Sequence, residues 1–113
     1  MKRDSYGERI PTLSTKEALI LELLLACIAR EMYGLEIVNR SGGKLKRGTV
    51  YVTLSRMEDK GFVESHMEQK TTGEVDQPRR VYRPTGYGCR VYEAWQMAVN
   101  ARRLMLSRTG GLL

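Results

Sequence analysis

The chain has 113 residues, 42% of them hydrophobic, which suits one folded domain and excludes a largely disordered chain. Lys and Arg number 19 against 13 Asp and Glu, a formal charge of +6, and such an excess favours a polyanionic partner. A domain this small has limited room for a deep substrate pocket and gains from covering more of its surface with a partner.

Residues 1–13 mix polar and charged types around Gly7 and Pro11 and are expected to form a flexible arm. Their basic opening lacks the apolar stretch of a secretory signal. Ser14-Thr15-Lys16-Glu17 has the form of a capping box. It predicts a helix over about 15–30 whose apolar residues (Ala18, Leu19, Leu21, Leu23, Leu24, Leu25, Cys27, Ile28) cover most of its circumference, as in a buried central helix. The run 18–29 contains Glu22 and is too short to span a bilayer, so no membrane is expected. After Tyr33-Gly34 a second helix, with Tyr33, Leu35, Ile37 and Val38 at inward spacings, runs to about Ser41 and stops at Gly42-Gly43.

A third helix is predicted from Arg47 to Lys60. Val50, Leu54 and Met57 form its inner stripe, and Thr49, Thr53, Arg56 and Lys60 form a polar stripe elsewhere. Gly61 ends it. From Phe62 to Glu68, and again from Arg79 to Arg83, the pattern changes to alternation, which predicts a hairpin with a long charged tip around Lys70 and Gly73. Thr85 then caps a last helix from Gly86 to Ser107, with Tyr87, Val91, Trp95, Ala98 and Met105 along one face, extended by Tyr92, Val99 and Leu106. A frayed tail is expected from Thr109.

The fold class expected from this order is mainly α with a small β-hairpin: a winged helix-turn-helix followed by one long helix. The segments are the arm 1–13, the winged domain 14–84, a dimerisation helix 85–107 and a flexible tail 108–113. In such a fold the third helix enters a major groove of double-stranded DNA. Lys44, Lys46 and Arg47 stand just before it as phosphate contacts, Thr49, Thr53, Arg56 and Lys60 lie on its polar stripe, and Arg79 and Arg80 lie in the wing. The last helix carries more apolar surface than one small domain covers, so Tyr87, Val91, Trp95, Ala98 and Met105 are expected at a homodimer interface.

Met32-Tyr33-Gly34-Leu35-Glu36-Ile37, Gly48-Thr49-Val50-Tyr51, Arg56-Met57-Glu58-Asp59-Lys60-Gly61-Phe62-Val63-Glu64-Ser65 and Arg79-Arg80-Val81-Tyr82-Arg83-Pro84-Thr85 together resemble the successive motifs of PadR-type transcriptional regulators. The resemblance spans about residues 13–106. It implies a dimeric repressor with Tyr51 at the DNA backbone and the C-terminal helix as the dimer contact. It also implies that Trp95 either lines a cavity for a small aromatic effector or packs the dimer. Position 52, often basic or proline in such proteins, is Val52 here, and the C-terminal part is a single helix, as in the smaller members.

No catalytic motif is present. His66 is solitary, and Cys27 and Cys89 make neither a metal pattern nor a disulfide framework, so the expectation is no enzyme, no metal and no cofactor. Buried free thiols suit a reducing cytoplasm. The same fold also serves as a protein–protein module without specific DNA binding. The surface of the third helix separates the two uses.

Overall fold

In a computed structural model, which describes residues 12–68 and 78–111 with side chains to Ser107, the capping box forms as written. The Glu17 amide donates to Ser14 Oγ at 3.1 Å, and the Glu17 carboxylate accepts from the Ser14 amide at 2.9 Å. The arm at 1–11, the hairpin tip with Lys70 and Gly73, and residues 112–113 lie outside the described residues.

Helix α1 (Thr15–Ala26) is the centre of the molecule, with Ala18, Ile20, Leu21 and Leu24 buried. Leu13, assigned to the flexible arm by sequence, belongs to the same core. The helix ends about four residues earlier than expected, because the backbone turns extended at Cys27 and Arg30 takes a left-handed φ of 57°. That turn brings Met32–Tyr33 to a sheet edge as strand β1. Ile28, expected in the core, is on the surface as a result.

Helix α2 (Gly34–Arg40) buries Ile37, while Leu35 points outward, contrary to expectation. The turn after it uses Gly42 and Gly43, both at positive φ. Helix α3 (Arg47–Asp59) buries Val50, Leu54 and Met57 completely, as the spacing predicts. Strands β2 (Val63–Glu68) and β3 (Arg79–Pro84) form the expected hairpin stem, in the register Ser65 opposite Tyr82 and Glu68 opposite Arg79. The sheet has a third strand that the sequence did not announce: β1 pairs antiparallel with β3, in the order β1-β3-β2.

Thr85 joins this sheet to helix α4 (Gly86–Gly111). Its hydroxyl accepts from the Gly88 amide at 2.9 Å and donates to the Gly61 carbonyl at 2.6 Å, and its own amide donates to the Phe62 carbonyl at 3.0 Å. The helix continues past Ser107, where a flexible tail was expected to begin. Its first half packs on α1 and the sheet. Val91 and Tyr92 are buried there, and Trp95 stacks on Tyr92 with ring centroids 6.0 Å apart. Val91 was expected at a dimer interface, but it is enclosed by its own chain at 6% exposure. Cys27 and Cys89 are free and only half-buried. Among the described residues no helix is long and apolar enough to cross a membrane, and no group of three potential ligands is placed to hold a metal.

Candidate nucleic-acid interface

Burial of Val50, Leu54 and Met57 divides the rest of α3 into a crest and two flanks. The crest, opposite the buried stripe at about 100° per residue, carries Gly48, Val52 and Ser55, all exposed. No acidic residue occurs in α3 before Glu58. The basic residues before and at its start, Lys44, Lys46 and Arg47, are exposed. Lys46 is the N-cap and gives no side-chain cap, so the first amides of the helix stay open toward an anion.

One flank faces the start of α1 across an open cleft of about 930 Å³ lined by Lys16, Glu17, Thr49, Val52, Thr53, Arg56 and Lys60. The polar stripe read from the sequence is thus brought together, but as a cleft wall and not as the crest. Thr49 and Thr53 are half-buried in it and Arg56 is exposed. Lys16 joins this wall although its position in the chain gave no sign of it. Lys60 has a partner within the protein. Its ammonium donates to the buried Glu17 Oε2 at 2.7 Å, while its side chain stays 48% exposed. Burial pushes the Glu17 carboxyl upward. The Lys60 hydrogen bond, the Ser14 amide and the Lys60 charge outweigh that and hold it below the ordinary carboxylate range.

The other flank faces the wing across a cleft of about 430 Å³ that collects Tyr33, Arg47, Tyr51, Arg79 and Arg80. Gly34 makes this approach possible, since a Cβ there would lie 2.5 Å from the Tyr51 ring. The Arg79 guanidinium sits 4.9 Å from the Tyr33 ring centre, a cation–π contact that leaves its N–H groups usable. The Tyr33 hydroxyl bonds the Glu68 carboxylate, and that bond, with some desolvation and the Glu68 charge, raises the phenol above its ordinary range. Arg80 donates to Ser65 Oγ at 2.9 Å, and Ser65 donates to Glu58 at 2.7 Å, which links the wing to α3. Tyr33 and Ser65 are absent from the sequence-derived site because their partners lie across the fold.

Of the expected dimer residues, Tyr87 and Met105 are exposed, Ala98 is exposed, Trp95 is half-buried and Val91 is internal. Ala94, Met97, Ala101 and Leu104 are also exposed, at alternating spacings of three and four.

The sequence profile of the transcriptional regulator PadR-like family matches residues 20–94. No curated protein matches the chain by sequence. Among solved structures, a PadR family transcription regulator from Clostridium difficile is similar with a TM-score of 0.70 at 24% identity, over 85% of this chain and 98% of that chain. A PadR family transcriptional regulator from Eggerthella lenta is similar with a TM-score of 0.59 at 28% identity, over 86% and 79% of the two chains. A PadR-like transcriptional regulator from Bacillus cereus gives 0.62 at 17% identity, over 83% and 89%.

Proposed function

The chain belongs to the PadR-like family of transcriptional regulators, and on that premise we propose that it is a repressor that binds a palindromic operator as a homodimer. The observation that carries the reading is the charge layout around α3: three basic residues at its start, Arg56 on one flank, Arg79 and Arg80 facing the other, and no acid in its first three turns. A helix so framed enters the major groove with its first turns, while the surrounding cations and open amides hold phosphates. Tyr51, lodged over Gly34 and 40% exposed, stands on the phosphate side.

The dimer is proposed on α4. Ala94, Met97, Ala101 and Leu104 follow the three–four spacing of a helix–helix seam, and they lie largely beyond the point where the protomer core stops at Trp95. Trp95 has one face on Tyr92, which favours a packing role at the edge of that seam. A small aromatic effector placed against its exposed edge rests on the family resemblance.

The test is binding to operator duplex at several salt concentrations. Replacing Lys46 and Arg47 by alanine lowers affinity for all duplexes alike and flattens the log–log salt slope by about 0.9 for each phosphate that is no longer neutralised. An unchanged slope, or no duplex bound by the wild type, rejects the assignment.

A further inference from the structure

The crest of α3 carries no long polar or charged side chain with which to reach base edges. Gly48 has no side chain, and a Cβ added there would meet nothing within 4 Å. Ser55 is small. Between them, one turn from Gly48, stands Val52, 52% exposed. It is an apolar side chain at the point of α3 farthest from the core, with Thr49 and Arg56 on one side and Tyr51 on the other. Single surface valines are ordinary elsewhere on a protein. On the one face that the DNA-binding reading places against base edges, the chemistry is restrictive.

Small neighbours let the helix backbone come close to the floor of the groove, and Val52 then meets the base edges first. It can neither donate nor accept a hydrogen bond. Every major-groove edge presents donors or acceptors, and one base also presents an apolar group, the 5-methyl of thymine. Opposite any other base, Val52 would strip water from polar atoms and return nothing to them.

We infer that Val52 is a specificity-determining residue that reads thymine methyl groups in the major groove. The inference rests on the DNA-binding reading proposed above. It makes the operator preference at the centre of each half-site a matter of apolar contact, with Thr49 and Thr53 beside Val52 on the α1 side.

The experiment uses the full-length protein and a duplex selected by the wild type from a random-sequence pool. Each thymine is replaced in turn by deoxyuridine, which removes the methyl group and keeps every hydrogen-bonding atom. Affinities are measured for the wild type and for Val52→Ala, whose fold is checked by circular dichroism. Burying one methyl group corresponds to about a fourfold change in affinity. The expected result is one or two thymines per half-site at which deoxyuridine weakens the wild type by about that factor and leaves Val52→Ala unaffected. If no replacement weakens the wild type, or if every effect persists in Val52→Ala, Val52 does not read methyl groups. Both results leave duplex binding itself intact. If the pool yields no bound duplex, the DNA-binding reading fails and this inference falls with it.

Discussion

A lysine at the end of α3 invites assignment to DNA, and the ion pair of Lys60 offers it a second role. Its partner Glu17 is 43 positions away in the chain and has a side chain only 6% exposed. The carboxylate is also the capping group of α1, so one anion holds the start of α1 and the end of α3 together. Lys60→Met removes the compensating charge and is expected to lower stability by about 1–3 kcal/mol, while the salt slope of DNA binding stays at the wild-type value. A slope reduced by about 0.9 would return Lys60 to the phosphate contacts. The same pair sets a pH response. Because the folded carboxyl titrates below its ordinary value of 4.5, the unfolded chain holds more protons in the interval between the two. Stability from this group is therefore complete above about pH 4.5 and declines as pH falls through the folded value. Thermal melts of Glu17→Gln across pH 3–6 are expected to lack that part of the acid dependence. A melt profile parallel to wild type would assign the acid loss to other carboxylates.

At the scale of elements, the joint between the wing and α4 is a close approach. Gly88 lies so close to the Phe62 carbonyl that a Cβ would sit 2.0 Å from its oxygen. Gly88→Ala is expected to displace α4 and cost about 1–3 kcal/mol or more, read as a lowered melting temperature. An unchanged melt would mean that α4 can shift freely. The elements themselves were largely legible in the sequence, since Ser14, Gly42-Gly43 and Thr85 are local signals and Val50, Leu54 and Met57 keep a clean period. What escaped was decided elsewhere. Strand β1 is two residues long, too short for any periodicity, and exists because β3 offers it an edge. Its recruitment shortened α1 and exposed Ile28. The gathering of basic residues was legible too: Lys44, Lys46, Arg47, Arg56, Arg79 and Arg80 are all placed around α3. Its partition was not. Which residues form the crest and which the cleft walls depends on how α1 and the wing pack beside α3. The links Arg80–Ser65–Glu58 and Arg79–Tyr33–Glu68 likewise join positions far apart in the chain.

The whole molecule is longer than its mass requires. Its radius of gyration is 17.1 Å, against about 13 Å for a compact chain of similar length. The 26 residues of α4 account for this, reaching roughly 39 Å at 1.5 Å per residue. The first half of that helix belongs to the protomer and the second half projects from it. The two halves therefore answer differently to a buried charge. Val91→Asp is expected to unfold the domain, because Val91 is internal. Leu104→Asp, at a side chain 66% exposed, is expected to leave the helical circular dichroism and melting of the domain intact while light scattering reports a monomer. A Leu104→Asp protein that stays dimeric would place the interface off the α4 seam.

In a dimer built on α4, the joint at Thr85 would also govern how the pair measures DNA. Thr85, which caps the Gly88 amide, bonds the Gly61 and Phe62 carbonyls, and with the close approach of Gly88 this fastens α4 directly behind the last turn of α3. In a dimer built on α4, the two reading helices then behave like the fixed jaws of a caliper, with no slack at the pivot. One base pair added between half-sites moves the second site by about 3.4 Å and turns it roughly 35° round the duplex axis. Any part of that rotation that the joint resists would fall to the duplex as twist. Flexible pyrimidine–purine steps in the spacer lower the cost of that distortion, and the sequence of base pairs that no side chain touches thereby enters the affinity.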